Sequence, residues 1–261
     1  MLKETKITIV IFLIATFALM FVSHGIIALL LEFGVVSFES IPVQILGIIG
    51  GGAPAFAALF IVYARYSKET QDAYWSWVFT FKVPYYWWLF IFLAPLLLGG
   101  VLHYINESPF AFIDLGIGDI IGIPIMFGAM IFAGGAEELG WRGILQKESE
   151  PSVPLAYIGV FIGIIWGLWH LPLFLIEGFA HYDYAFSIYI LSTVIFSLWM
   201  TGVVYKTGSV GMAILMHAAV NTAANLGFNV PMDSTPVIYT MLILVLIVSV
   251  VWLLRLEKRT I

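Results

Sequence analysis

Hydrophobic positions along this chain come in long runs rather than in alternation. Eight apolar stretches, at 7–31, 42–64, 86–104, 120–145, 155–176, 185–205, 209–227 and 236–255, are each bounded by charged residues, Pro or Gly clusters. A spanning helix needs about 20 mostly apolar residues at ~1.5 Å rise per residue, and each stretch is of that order. The pattern predicts an all-α polytopic membrane protein, a bundle of about eight transmembrane helices. The joints are short and no internal repeat interrupts them, so a single domain over 1–261 is expected. The first run, Ile7 to Leu31, is much longer than the ~7–15 residue apolar core of a signal peptide and reads as a retained helix.

Between the second and third runs lies YSKETQDAYWSWVFTFKVPYYWW, residues 66–88. Tyr and Trp favour the headgroup region, so this aromatic and charged segment reads as an interfacial anchor, with a short amphipathic helix before Pro84.

Composition then fixes the solvent. The chain is 62% hydrophobic and 10% charged, against about 25% charged in a soluble domain, and its mean hydropathy is +1.04. Charge distribution fixes a predicted orientation. Lys3, Lys6, Arg65, Lys68, Lys82, Arg142, Lys147, Lys206, Arg255, Lys258 and Arg259 all fall toward one side of the eight-span division. By the positive-inside rule that side, with both termini, is cytoplasmic. The opposite loops carry Glu32, Glu39, Glu107, Asp114, Asp119, Glu177, Asp183 and Asp233, which account for most of the net charge of −5. No nucleic-acid partner is expected. The absence of cysteine excludes disulfides, thiolate metal sites and a cysteine nucleophile.

Chemistry must come from polar groups inside the spans, where an ionisable residue costs at least ~2.5–3.5 kcal/mol and faces a bundle interior or a wet cavity. Three clusters stand out. The fourth run contains AGGAEELGWRGIL, residues 133–145, with Glu137, Glu138 and Arg142. In a regular helix Glu138 and Arg142 share a face at i, i+4, while Glu137 points about 100° away. The spacing predicts a structural ion pair and a free carboxylate suited to general acid–base work. Gly134, Gly135 and Ala136 leave room beside it for another helix or a substrate backbone. The fifth run ends in WGLWHLPLF with His170, and the seventh contains LMHAAVNTAANLGF, where His217 and Asn221 share a face as two converging donors. Asn225 follows one turn later, while His24 and His103 each stand alone in their helices.

These clusters together resemble the CPBP family, the CAAX proteases and bacteriocin-processing enzymes also called the Abi family, which includes the type II CAAX prenyl endopeptidases. The EExxxR motif matches Glu137, Glu138 and Arg142. The aromatic-xxx-His motif matches Trp166 to His170, with Trp where Phe is usual, and HxxxN matches His217 and Asn221. The resemblance implies an intramembrane endopeptidase acting on a membrane-associated protein or peptide, prenylated CAAX-type tails being the substrate of one branch. Glu137, assisted by His170, would activate water, His217 and Asn221 would hold the oxyanion, and Glu138 with Arg142 would support the helix. No cofactor is favoured. The competing account within the family is a zinc metalloprotease using His170, His217 and Glu137, although asparagine is a poor zinc ligand and no H-E-x-x-H helix is present.

Other classes fit less well. GIGD at 116–119 and Tyr182-Asp183 have the reversed order and outer-loop placement for an aspartyl dyad, and TGSVG at 207–211 lacks a rhomboid-type serine setting. Ser209 reads instead as a helix cap. A small transporter or a non-cleaving scaffold would use the same buried polar groups. Depth gives a mixed expectation. Glu137 stands ~15 Å from Lys147 and His217 ~16 Å from Lys206, but His170 stands ~24 Å from Pro154, so the fifth helix must tilt or begin outside the hydrocarbon.

Overall fold

The computed structural model describes residues 3–106, 117–226 and 236–258. Glu107, Asp114, Asp233 and Arg259, and the side chains of Asp119 and Lys258, used above in the charge pattern, lie outside that description. The described chain is helical, with no strand. Its helices are α1 (Lys3–Glu32), α2 (Ile41–Gly51), α3 (Ala53–Arg65), α4 (Lys68–Val78), α5 (Tyr85–Asn106), α6 (Ile117–Ala133), α7 (Leu155–Trp169), α8 (Phe186–Thr207), α9 (Val210–Asn225) and α10 (Pro236–Lys258). An irregular helical stretch, 134–149, continues from α6.

All eight apolar runs contain helix, but not every one is a long helix. By length and apolar character five described helices can cross a membrane, or six if α2 and α3 count as one span bent by 57°. The bend falls at Gly51-Gly52, with Pro54 in the first turn of α3, the two residue types that most weaken a continuing helix. Two runs fall short. Helix α7 has 15 residues because the chain after Trp169 turns into a 3-10 segment, Leu171–Phe174, that begins around Pro172. Helix α9 has 16 residues. The span count of about eight is therefore not established, whereas the all-α polytopic membrane class is.

Packing follows small residues. On α7, Gly159, Gly163 and Gly167 recur every fourth residue and face α8. A Cβ at Gly163 would stand 2.5 Å from the Val194 Cα, so only glycine lets the two backbones approach so closely. The approach is sealed by hydroxyls of α8: Ser197 donates to the Gly159 carbonyl at 2.7 Å and Thr193 to the Gly163 carbonyl at 3.1 Å. Such interhelical bonds contribute about 0.6 kcal/mol each on average.

Helix α8 ends at Gly208 in the left-handed conformation, φ +67°. Ser209 then caps α9, accepting from the Met212 N–H at 3.0 Å, as expected from sequence. Helix α9 packs against both α5 and α6. The largest apolar cluster gathers Phe12 of α1, Ile61 of α3, Tyr74 of α4, Trp141, Trp166 and Trp169 around residues 134–149. The interfacial segment contains the short helix α4, whose N-cap Ser67 accepts from the Thr70 N–H at 3.3 Å.

Candidate active site

The stretch carrying the two glutamates is not the regular helix assumed from spacing. Gly135–Glu137 form a 3-10 turn, Glu138–Gly140 an α turn, and Trp141–Gln146 a π-helical turn. Single-turn departures of this kind re-aim side chains that a uniform 100° step would fix, and they occur often at functional sites. Here Glu137 and Glu138, adjacent in sequence and both buried, find separate partners.

Glu137 is not free, as spacing alone predicted. Its Oε2 accepts from the Trp166 indole N–H at 2.8 Å and from Trp141 at 3.3 Å. Trp166 thus has a specific role beyond filling the aromatic position of its motif. Trp141 was not singled out from sequence, although its i, i+4 spacing to Glu137 was a usable signal. Tryptophan brings one N–H donor and no acceptor, so two indoles can hold a buried carboxylate without competing for its protons.

Glu138 does pair with Arg142, as expected, its Oε2 lying 3.3 Å from Nε with both side chains fully buried. The contact is electrostatic rather than a well-aligned hydrogen bond. Glu138 Oε2 and the Arg142 Nε and both Nη atoms find no hydrogen-bond partner among the described residues. The other carboxylate oxygen does more. Glu138 Oε1 lies 2.8 Å from His217 Nδ1, a cross-helix contact that no spacing rule could give.

His217 and Asn221 converge as predicted, and Gly134 explains where. A Cβ at residue 134 would run into the Asn221 amide nitrogen and come within 3.2 Å of His217 Nε2. Both groups therefore aim at the space glycine leaves open. Gly135 serves packing instead: a Cβ there would stand 2.7 Å from the Ile214 carbonyl of α9. The glycines admit another helix, and one of them admits its polar groups.

His170 caps the C-terminus of α7, and its Nδ1 lies 2.8 Å from the Trp166 carbonyl. A carbonyl only accepts, so Nδ1 carries the proton, and in the neutral ring that leaves the lone pair on Nε2. The depth mismatch did not separate it from the others. A cavity of about 720 Å³ is lined by Glu137, His170, His217 and Asn221 together, along with Trp166 and apolar residues such as Met130, Leu173 and Phe196. Rise per residue measures helix length, whereas tilt and the starting level of each helix decide which residues meet.

The cavity also includes residues that sequence reasoning passed over. His181, in the connection before α8, stacks on His170 with ring centroids 5.6 Å apart, and Tyr189 packs on both, 5.2 Å from His170 and 5.1 Å from His181. Burial pushes the His181 imidazole down to about 4. His24, read as solitary in its helix, lines the same cavity, its ring 5.2 Å from Phe179. Asn225 also reaches the wall, whereas His103 does not line it.

Among the described residues no three His, Asp or Glu side chains gather as metal ligands. Glu137 Oε2 is already bonded by two indole N–H groups.

Comparison with known proteins locates this arrangement. The family described as Rce1-like, type II CAAX prenyl endopeptidases, matches residues 119–223. A protein of Methanococcus maripaludis named CAAX prenyl protease 2 is 29% identical over 108 residues, covering 38% of this chain and 39% of its own length. The match thus spans about two fifths of that relative. The matched segment contains Glu137, Glu138, Arg142, Trp166, His170, His217 and Asn221, and over that segment the chain is similar to the Rce1-like type II CAAX prenyl endopeptidases.

Proposed function

We propose that this protein is an intramembrane endopeptidase that hydrolyses a peptide bond of a membrane-associated substrate without a metal. The observation that carries the reading is the single cavity walled by Glu137, His170, His217 and Asn221. Glu137, held by two indoles through Oε2, keeps Oε1 for a water molecule, and the unprotonated Nε2 of His170 is the second acceptor for that water's protons. A carboxylate and an imidazole facing one cavity supply general base and general acid in turn, together contributing about 10²–10⁴-fold.

The oxyanion formed at the substrate carbonyl is placed against Asn221 and His217. His217 donates from Nε2 as an imidazolium, its Nδ1–H held by Glu138. Glu138 and Arg142 act on the reaction through that histidine. The substrate class is a prenylated CAAX-type C-terminal segment, the kind named for the Methanococcus relative. The apolar wall of the cavity would receive its lipid, and cytoplasmic termini, read from the basic residues, would place the site within reach of a cytosolic tail.

The test is cleavage of a prenylated CAAX reporter peptide by purified protein in lipid. Wild type cleaves it, and Glu137→Gln and His170→Ala do not while remaining folded. Full turnover by Glu137→Gln would overturn the catalytic assignment, whereas a wild type that does not cleave would leave only a scaffold. Exhaustive chelation leaves the wild-type rate unchanged, and loss of activity with recovery on zinc addition would overturn the metal-free chemistry.

A further inference from the structure

Helix α4 touches the carboxylate-bearing stretch at several points. Tyr74, fully buried, donates its hydroxyl to the Leu139 carbonyl at 2.8 Å. Its ring lies against Gly143, where a Cβ would stand 2.8 Å from Cε2 and 3.1 Å from the hydroxyl oxygen. Further along, Trp77 receives the Lys147 ammonium over its face at 5.1 Å, and Tyr66, just before α4, donates to Glu148 Oε1 at 2.7 Å.

The first of these contacts falls at a sensitive place. Leu139 directly follows Glu138 and lies in the α turn that passes into the π turn two residues later. Glu137 must meet Trp166 while Glu138 meets His217, a divergence that a uniform helix through 134–149 would not give. A π turn is locally less favourable than the α-helix that could replace it, so it persists only where surrounding contacts hold it. Tyr74 supplies two such contacts, one polar at Leu139 and one steric at Gly143. It reaches neither the cavity wall nor the carboxylates themselves.

We propose that Tyr74 is a positioning residue, which clamps the junction between α and π geometry and thereby fixes the separate directions of Glu137 and Glu138. This rests on the endopeptidase reading for its catalytic readout but not for its structural one. Helix α4 is then part of the site's support, and the aromatic segment read from sequence as a surface anchor also tunes the chemistry.

The experiment compares Tyr74→Phe with Tyr66→Phe, each losing one hydroxyl that grips residues 139–148. Tyr74→Phe lowers kcat by about tenfold to a hundredfold, the order expected when a catalytic group is displaced by up to 1 Å, with KM unchanged. Tyr66→Phe stays within about twofold of wild type, because Glu148 lies beyond the π turn. Gly143→Ala, which displaces the Tyr74 ring while leaving its hydroxyl, reproduces the Tyr74→Phe loss.

A second readout needs no turnover. The Nδ1 proton of His217, bonded to Glu138, gives a nitrogen-15 histidine NMR signal that shifts in Tyr74→Phe and not in Tyr66→Phe. If wild type lacks peptidase activity yet this signal shifts, the endopeptidase reading fails and the clamp stands. If Tyr74→Phe matches wild type in both kcat and signal, or if Tyr66→Phe moves both equally, the clamp is wrong.

Discussion

Helices α7 and α8 meet along a regular stripe of glycines and hydroxyls, whereas residues 134–149 change helical type three times within a few turns. Both deliver side chains to the same cavity. The regular pair presents His170 at the end of a rigid helix, where its direction follows from packing already complete by Gly167. The irregular stretch must send two neighbouring carboxylates to different partners. It achieves this with irregular helical geometry, contacted from other helices by Tyr74 and Trp166 and from within by Trp141. The scaffold is built from repetition, and Glu137, the proposed reacting group, sits where repetition is broken.

Substitutions can break or sharpen that contrast. The largest effect is expected at Glu137, where Gln retains the shape but removes the carboxylate proposed as the base. Turnover of the reporter should fall by about 10³-fold or more, while thermal unfolding stays close to wild type. Arg142→Met acts on the adjacent carboxylate and should do the reverse in kind. It leaves a buried Glu138 without its cation, costing about 3–5 kcal/mol in chemical denaturation, and activity is lost through unfolding and through a loosened His217.

Asn221→Ala comes next. Removing one proposed oxyanion donor should lower kcat by about 10²–10³-fold with little change in KM or in unfolding midpoint. The regular hairpin gives the smallest response. Gly163→Ala forces α7 from α8 at a point with backbone on both sides and should destabilise by about 1–3 kcal/mol, with residual activity in proportion to the folded fraction. If Gly163→Ala instead cut kcat in fully folded protein more than Asn221→Ala does, the division between scaffold and reactive stretch would be misplaced.

Much of this was readable beforehand, and the parts that were not have identifiable causes. The apolar runs fall on helices because bilayer thickness and peptide hydrogen bonding leave few alternatives. The run at 155–176 was overextended because Pro172 starts a 3-10 turn that remains apolar, so hydropathy does not register the break. His217 and Asn221 were legible because four residues along α9 do keep one face. The free Glu137 was misjudged, since its partner Trp166 lies 29 positions away on another helix. His181 and Tyr189 were missed because an aromatic residue near a span end ordinarily signals only the interface.

The sequence by itself determined the solvent, the helical class, and the set of polar residues that had to be gathered inside, because each buried charge carries a cost that only a common cavity or a partner can offset. It also determined that Glu138 and Arg142 would be close, since four residues of helix ensure it. Only the tertiary structure decided that Glu138 also holds His217, that Trp166 holds Glu137, and that Tyr74 reaches Leu139 from a helix 65 positions earlier in the chain. These contacts join separate helices. Their formation depends on tilt, on the close approaches glycine permits and on a π turn, none of which is encoded in the spacing of residues along one helix.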